Sequence, residues 1–88
     1  MRLDMLLSNS GRIPRRTQAK KACEAGLVEI DGHRAKPSTP VELGREITVR
    51  LGMSIRRYRV LKLPEHAVPR SRRDEYTELL SSESIGPD

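Results

Sequence analysis

The stretch "AGLVEIDGHRAKPSTP", Ala25 to Pro40, decides the fold. Val28 and Ile30 alternate with Glu29, the period of a half-buried strand. Asp31-Gly32 is a dipeptide favoured in two-residue hairpin turns, where the backbone must turn left-handed. Two prolines within "KPSTP" remove N–H donors and bar regular structure, so Lys36 to Pro40 is a loop. Gly26, just ahead of the strand, is the residue type that closes a helix with a left-handed cap. A helix end, a hairpin and a loop thus follow one another within sixteen residues.

Toward the C-terminus, "ELG" turns into "REITVRL", where Ile47, Val49 and Leu51 face one way and Glu46, Thr48 and Arg50 the other. "GMS" turns into "IRRYRVLKL", with Tyr58 and Val60 inward and Arg57 and Arg59 outward. The same alternation puts Arg56 inward, against its charge. From Pro64 the pattern is lost. "RRDEYTELL" reads as a helical turn or two docking through Tyr76, Leu79 and Leu80, and "SSESIGPD" as a disordered end. The expected organisation is a folded body over 1–63 and a flexible C-terminal tail over 64–88 with a short docking helix.

Toward the N-terminus, Leu3, Leu6 and Leu7 mark one face of a short helix, with Asp4 in its first turn, where negative charge suits the helix dipole. "SNSG", Ser8 to Gly11, reads as a break. Pro14 fits the entry to a second helix. Ala19, Ala22 and Cys23 give that helix a narrow stripe of small apolar residues suited to close packing. The fold class is α+β: two short N-terminal helices packed on a small antiparallel β-sheet.

Composition removes several functions. Eighty-eight residues make one small domain, and with Tyr58 and Tyr76 the only aromatics, Leu, Ile, Val and Ala must fill its core. A single cysteine excludes an intramolecular disulfide and points to a reducing compartment. "MRLDMLLSNSG" lacks the apolar run of a signal peptide, and no segment is apolar over a bilayer's width, so the expectation is a cytoplasmic protein without a membrane partner. His33 and His66 have no partner at metal-ligand spacing, and Cys23 lies on the apolar stripe. The six glycines are scattered at turns rather than gathered in a phosphate loop. Neither an enzyme, nor a metal, nor a cofactor is expected.

Charge supplies the positive signal. Residues 1–63 carry 14 Lys/Arg against 6 Asp/Glu, and residues 64–88 carry 3 against 6, which makes a basic body and an acidic tail. Such a body favours a polyanion. The positive residues concentrate in "RIPRRTQAKK", Arg12 to Lys21. Arg16 and Lys20 are four apart and share a helix face, Arg15 lies at the helix start, and Arg12 approaches from the preceding loop. Backbone N–H groups at a helix start also attract phosphate. Arg2 completes the patch if the two helices pack side by side. A solvated face could hold as many charges. Here, however, like charges at i, i+4 go without an acidic neighbour until Glu24. The near absence of aromatics argues against recognition by base stacking, which leaves guanidinium contacts to phosphates and to RNA shape. A DNA-binding helix-turn-helix regulator is the rival reading, although no dimerisation element is evident and a monomer is expected.

The set "RLD", "RRTQAKK", "VEIDGHRAKPS" and "VELGREITV" resembles the S-four RNA-binding domain, and more narrowly its stand-alone family of RqcP and the bacterial fifteen-kilodalton heat-shock protein, with "MRLD", "RRTQAK" and a late "YTELL" most similar to RqcP. The resemblance implies an α-L RNA-binding motif. It implies that Arg2, Arg15, Arg16, Thr17 and Lys20 lie on the RNA-contacting face, with Lys36 after the hairpin as an addition and Arg12 a further candidate. It also implies large ribosomal subunit rRNA and peptidyl-tRNA as partners. With RqcH, the domain would then serve alanine tailing of stalled chains in ribosome-associated quality control. The family's alternative is the heat-shock relative's recycling of such subunits. Gly11 and Pro14 stand where relatives often carry basic residues.

Overall fold

Asp31 and Gly32 take backbone φ angles of 49° and 85°, both left-handed, and turn the chain between Ile30 and His33 in two residues. Around this turn a computed structural model, which describes residues 1–84, builds the fold. Its elements are α1 (Leu3–Asn9), α2 (Arg16–Glu24), β1 (Val28–Ile30), β2 (His33–Arg34), β3 (Glu46–Leu51), β4 (Ser54–Val60), a 3₁₀ helix (Arg70–Glu75) and β5 (Thr77–Ser84). The strands form one antiparallel sheet in the order β2-β1-β3-β4-β5. The α+β class and the two short helices on an antiparallel sheet are as the sequence predicts.

The helix ends explain themselves locally. After Ala25, Gly26 (φ 76°) donates its N–H to the Cys23 carbonyl and Leu27 donates to Ala22, the paired bonds of a glycine-closed helix end. Helix α1 runs two residues further than expected, through Ser8 and Asn9, before Ser10 caps it and Gly11 turns left-handed at φ 78°. A side chain at Gly11 would meet that backbone cost, which accounts for glycine there rather than a bulky cation.

The loop after the hairpin has a defined purpose. The Leu3 N–H donates to the Thr39 carbonyl (2.9 Å) and the Asp4 N–H to the Pro37 carbonyl (3.1 Å). These are two of the N–H groups that a helix leaves without internal partners. Val41 donates in turn to the Met1 carbonyl (2.8 Å), so the proline loop is sewn to the start of α1.

Leu3, Leu6, Leu7, Ile13, Ala19, Ala22 and Cys23 from the helical layer meet Val28, Ile47, Val49, Tyr58 and Val60 from the sheet. Leu3 and Leu6 are fully buried. Burial of each leucine stabilises the fold by about 1.5–3 kcal/mol. Arg56 pairs across from Val49 and so shares the core-side face, as the alternation requires. It is exposed nonetheless, and Leu51 on the same face is 40% exposed, so burial on this side of the sheet ends at Val49.

The segment after Pro64 departs from the expectation of a flexible tail. Its helical turn lies at Arg70–Glu75, ahead of Tyr76, and residues Thr77–Ser84 form β5 along the edge of β4. Leu79 is 47% exposed, whereas Thr77 is buried at 2%. A polar residue, not the leucines, anchors this segment. The strand escapes a sequence reading because "TELLSSES" lacks alternation, and a register shift at Arg57/Tyr58 is needed to seat it. The remainder of the expected disordered end, 85–88, lies outside the described residues.

Candidate nucleic-acid interface

Asp4 organises the basic patch. Its carboxylate is 1% exposed and accepts hydrogen bonds from Arg2 Nε (3.2 Å) and Nη2 (3.1 Å), while Arg16 Nε stands 3.6 Å away. The two arginine side chains are about half exposed, at 49% and 53%. One buried acid therefore holds the guanidinium of the residue just ahead of α1 and that of the first residue of α2 side by side at the surface. Removing both charged partners would leave a carboxylate out of water without compensation, which is strongly unfavourable. From sequence, Asp4 reads only as a helix-start residue. The spacing Arg-x-Asp ahead of a basic helix was the available signal.

Arg15 precedes the first turn of α2, no side-chain cap bonds that turn, and Arg15, Thr17 and Lys20 are exposed. Lys36 is exposed on the proline loop that the α1 start pins down, which brings it into the same cleft wall as Arg2. Among the described residues, no carboxylate lies within ion-pair distance of Arg15, Lys20, Lys21, Arg34 or Lys36.

Arg12 must be removed from the expected face. Its side chain is 5% exposed and faces the other end of the chain. Nε donates to Thr77 Oγ1 (2.8 Å), Nη2 donates to the Thr77 carbonyl (2.8 Å) and to Asp74 Oδ1 (2.9 Å), and the guanidinium covers the Tyr58 ring. Three of its N–H donors are thus committed to this segment. The reason lies in β5: once that strand is in place, the loop carrying Arg12 abuts it.

The other arginines sort by partner. Arg45 is bound to Asp31 (2.9 Å) and Glu42 (3.3 Å), Arg59 to Glu46 (3.4 Å) and Arg72 to Glu75 (3.0 Å). The bond from the Glu46 N–H, followed by Arg45, holds the Asp31 carboxyl below its ordinary range. On the open sheet face, Arg50 and Arg57 share a depression with Glu29, Asp31, Glu46 and Glu83. That face is a mosaic of both signs and offers no excess for a polyanion. The helix side does.

Burial, with the carboxylates of Asp4 and Glu24 adding to it, pushes the Cys23 thiol up to about 11. Among the described residues no group of three His, Cys, Asp or Glu side chains could hold a metal ion. No helix there is long and apolar enough to cross a membrane.

Arg34 is the functional-side residue that the sequence does not reveal. It ends β2, lines a cleft of about 620 Å³ between the C-terminal half of α2 and the proline loop, and shares that cleft with Arg2 and Lys36.

A two-layer fold with unpaired cations gathered on α2, its N-terminal flank and the proline loop has the form of a single-domain polyanion-binding module. The chain belongs to the S4 domain family, whose model matches residues 1–47. It is 37% identical over 86 residues to the RQC P-site tRNA stabilizing factor of Bacillus subtilis, covering 98% of this chain and 99% of that protein. It is 39% identical to the same-named factor of Listeria innocua, over 88% of this chain and 84% of that one. Among solved structures, the trimeric heat shock protein 15 of Vibrio cholerae superposes with a TM-score of 0.86 at 28% identity, over 92% of this chain and 82% of that one.

Proposed function

We propose that the protein is a non-enzymatic RNA-binding factor of the cytoplasm that holds peptidyl-tRNA on large ribosomal subunits during ribosome-associated quality control. The observation that carries this reading is the Asp4 clasp, which presents Arg2 and Arg16 together beside the unpaired Arg15 and Lys20. Two guanidinium groups at fixed spacing suit the phosphates of folded RNA better than isolated flexible charges, because less side-chain freedom is lost on contact. Thr17 adds a hydroxyl to the same helix, and Lys36 extends the surface across the cleft. The tRNA and its P site come from the relatives, which are P-site tRNA stabilizing factors.

In this reading the domain acts as a monomer and contributes position and affinity while RqcH drives alanine tailing. Affinity purification of the tagged protein from cells with stalled translation should recover large subunits bearing peptidyl-tRNA, together with RqcH. Recovery of subunits without RqcH, and unchanged tailing on deletion, would favour the second reading, a subunit-recycling factor. The close superposition on heat shock protein 15 speaks for that alternative.

A further inference from the structure

We infer that the cleft between α2 and the proline loop takes the base of one unpaired nucleotide, clamped by Arg34. This rests on the RNA-binding reading above and specifies what part of the RNA is bound. The Arg34 guanidinium lies directly against the Cα of Gly26, so close that a Cβ built there would fall inside it. A planar cation laid over a bare peptide is held on one side and leaves its other side for a stacked ring. Arginine planes serve RNA-binding proteins as stacking surfaces in place of aromatic rings, which this chain almost lacks.

The rest of the cleft matches a nucleotide in parts. Ala35 and Pro37 supply apolar wall for a base, and Arg2 and Lys36 supply cations for its flanking phosphates. Glu24 lies at the cleft as well. A carboxylate repels a continuous phosphate track but accepts from the amino groups on a base edge. A volume of about 620 Å³ is within the range of small-ligand sites. A cleft meant only for backbone would need neither the apolar wall nor the acid.

The test compares two RNA hairpins that differ at one bulged position, an intact nucleotide in one and an abasic ribose in the other, so shape and charge are kept. Wild-type protein should bind the base-bearing hairpin about tenfold more tightly, the scale of one stacking contact. Arg34→Ala should abolish the difference. Arg34→Lys, which keeps the charge and loses the plane, should abolish it too. Gly26→Asn tolerates the left-handed backbone and displaces the guanidinium, and it should behave like Arg34→Ala while melting as a folded protein. Equal wild-type binding to both hairpins, or a preference that survives Arg34→Ala, overturns the inference and leaves the RNA-binding reading standing. Binding to neither hairpin overturns the inference as well, and recovery of large subunits then decides the broader reading independently.

Discussion

The guanidinium of Arg12 stands 4.5 Å over the centre of the Tyr58 ring, buried within the fold and apart from the Asp4 clasp. Arg12→Ala should therefore act on stability. It removes a cation–π contact and the charged bonds to Thr77, whose loss costs about 1.5–3 kcal/mol. The ion pair to Asp74 adds little, because that carboxylate is 86% exposed. In a domain of this size the melting temperature should drop by on the order of 10 °C. RNA affinity measured well below the new midpoint should be unchanged; a selective loss of RNA binding in a fully folded variant would return Arg12 to the interface.

Arg16→Ala should weaken binding to large subunits and lower the slope of log affinity against log salt by roughly one counterion. Arg72→Ala is the matched control, since Glu75 already neutralises Arg72 and the side chain lies in the 3₁₀ helix. Equilibrium binding across a salt series reads both. A stronger effect at Arg72 would relocate the interface to the C-terminal segment.

Cys23 should be inert in the native state. A thiol at about 11 is almost wholly protonated at pH 8, so iodoacetamide should alkylate it slowly in buffer and rapidly in urea. The raised value also has a consequence for stability. In the unfolded chain the thiol ionises near its ordinary value of 9.0, and the fold favours the neutral form. The associated stability is intact below pH 9 and is lost between about pH 9 and 11. Cys23→Ala should flatten that part of the stability curve.

Asp31 should show the opposite dependence. Its folded carboxyl titrates below the ordinary value of 3.8, so the stability it contributes is present above that pH and is lost as acid protonates it. Asp31→Ala also places a Cβ-bearing residue without a compensating side-chain bond at φ 49°. Asp31→Asn keeps an acceptor for the Glu46 N–H and tolerates the turn. Thermal melts should rank wild type above Asn above Ala; equal melting of Ala and wild type would mean the turn is held by its neighbours alone.

Legibility followed the length scale of each interaction. The Asp31-Gly32 turn and the Gly26 helix end need only a few adjacent residues, and both were visible as dipeptides or single glycines. The inward faces of β3 and β4 announced themselves by alternation. Strand β5 did not, because its place is set by hydrogen bonds to β4 across a bulge and not by an apolar pattern of its own. The surroundings of Arg12 escape a sequence reading for the same reason: its partners lie 62 and 65 residues away. The cations of α2 were legible as a group, but the groupings Arg2–Asp4–Arg16 and Gly26–Arg34 exist only once the helices and the proline loop have met.

The bond from Arg12 to Thr77 also bears on how the protein comes to be. A contact spanning 65 residues cannot form until Thr77 has been synthesised and the loop between its ends has been closed. Until Thr77 arrives, the segment joining the two helices lacks the bonds that draw Arg12 inward, while the Asp4 clasp and the shared core hold the helices together. A nascent or clipped chain would carry every cation of the interface and one more, Arg12, left without its bonds to Thr77. Completion of the last strand thus withdraws that arginine from the surface.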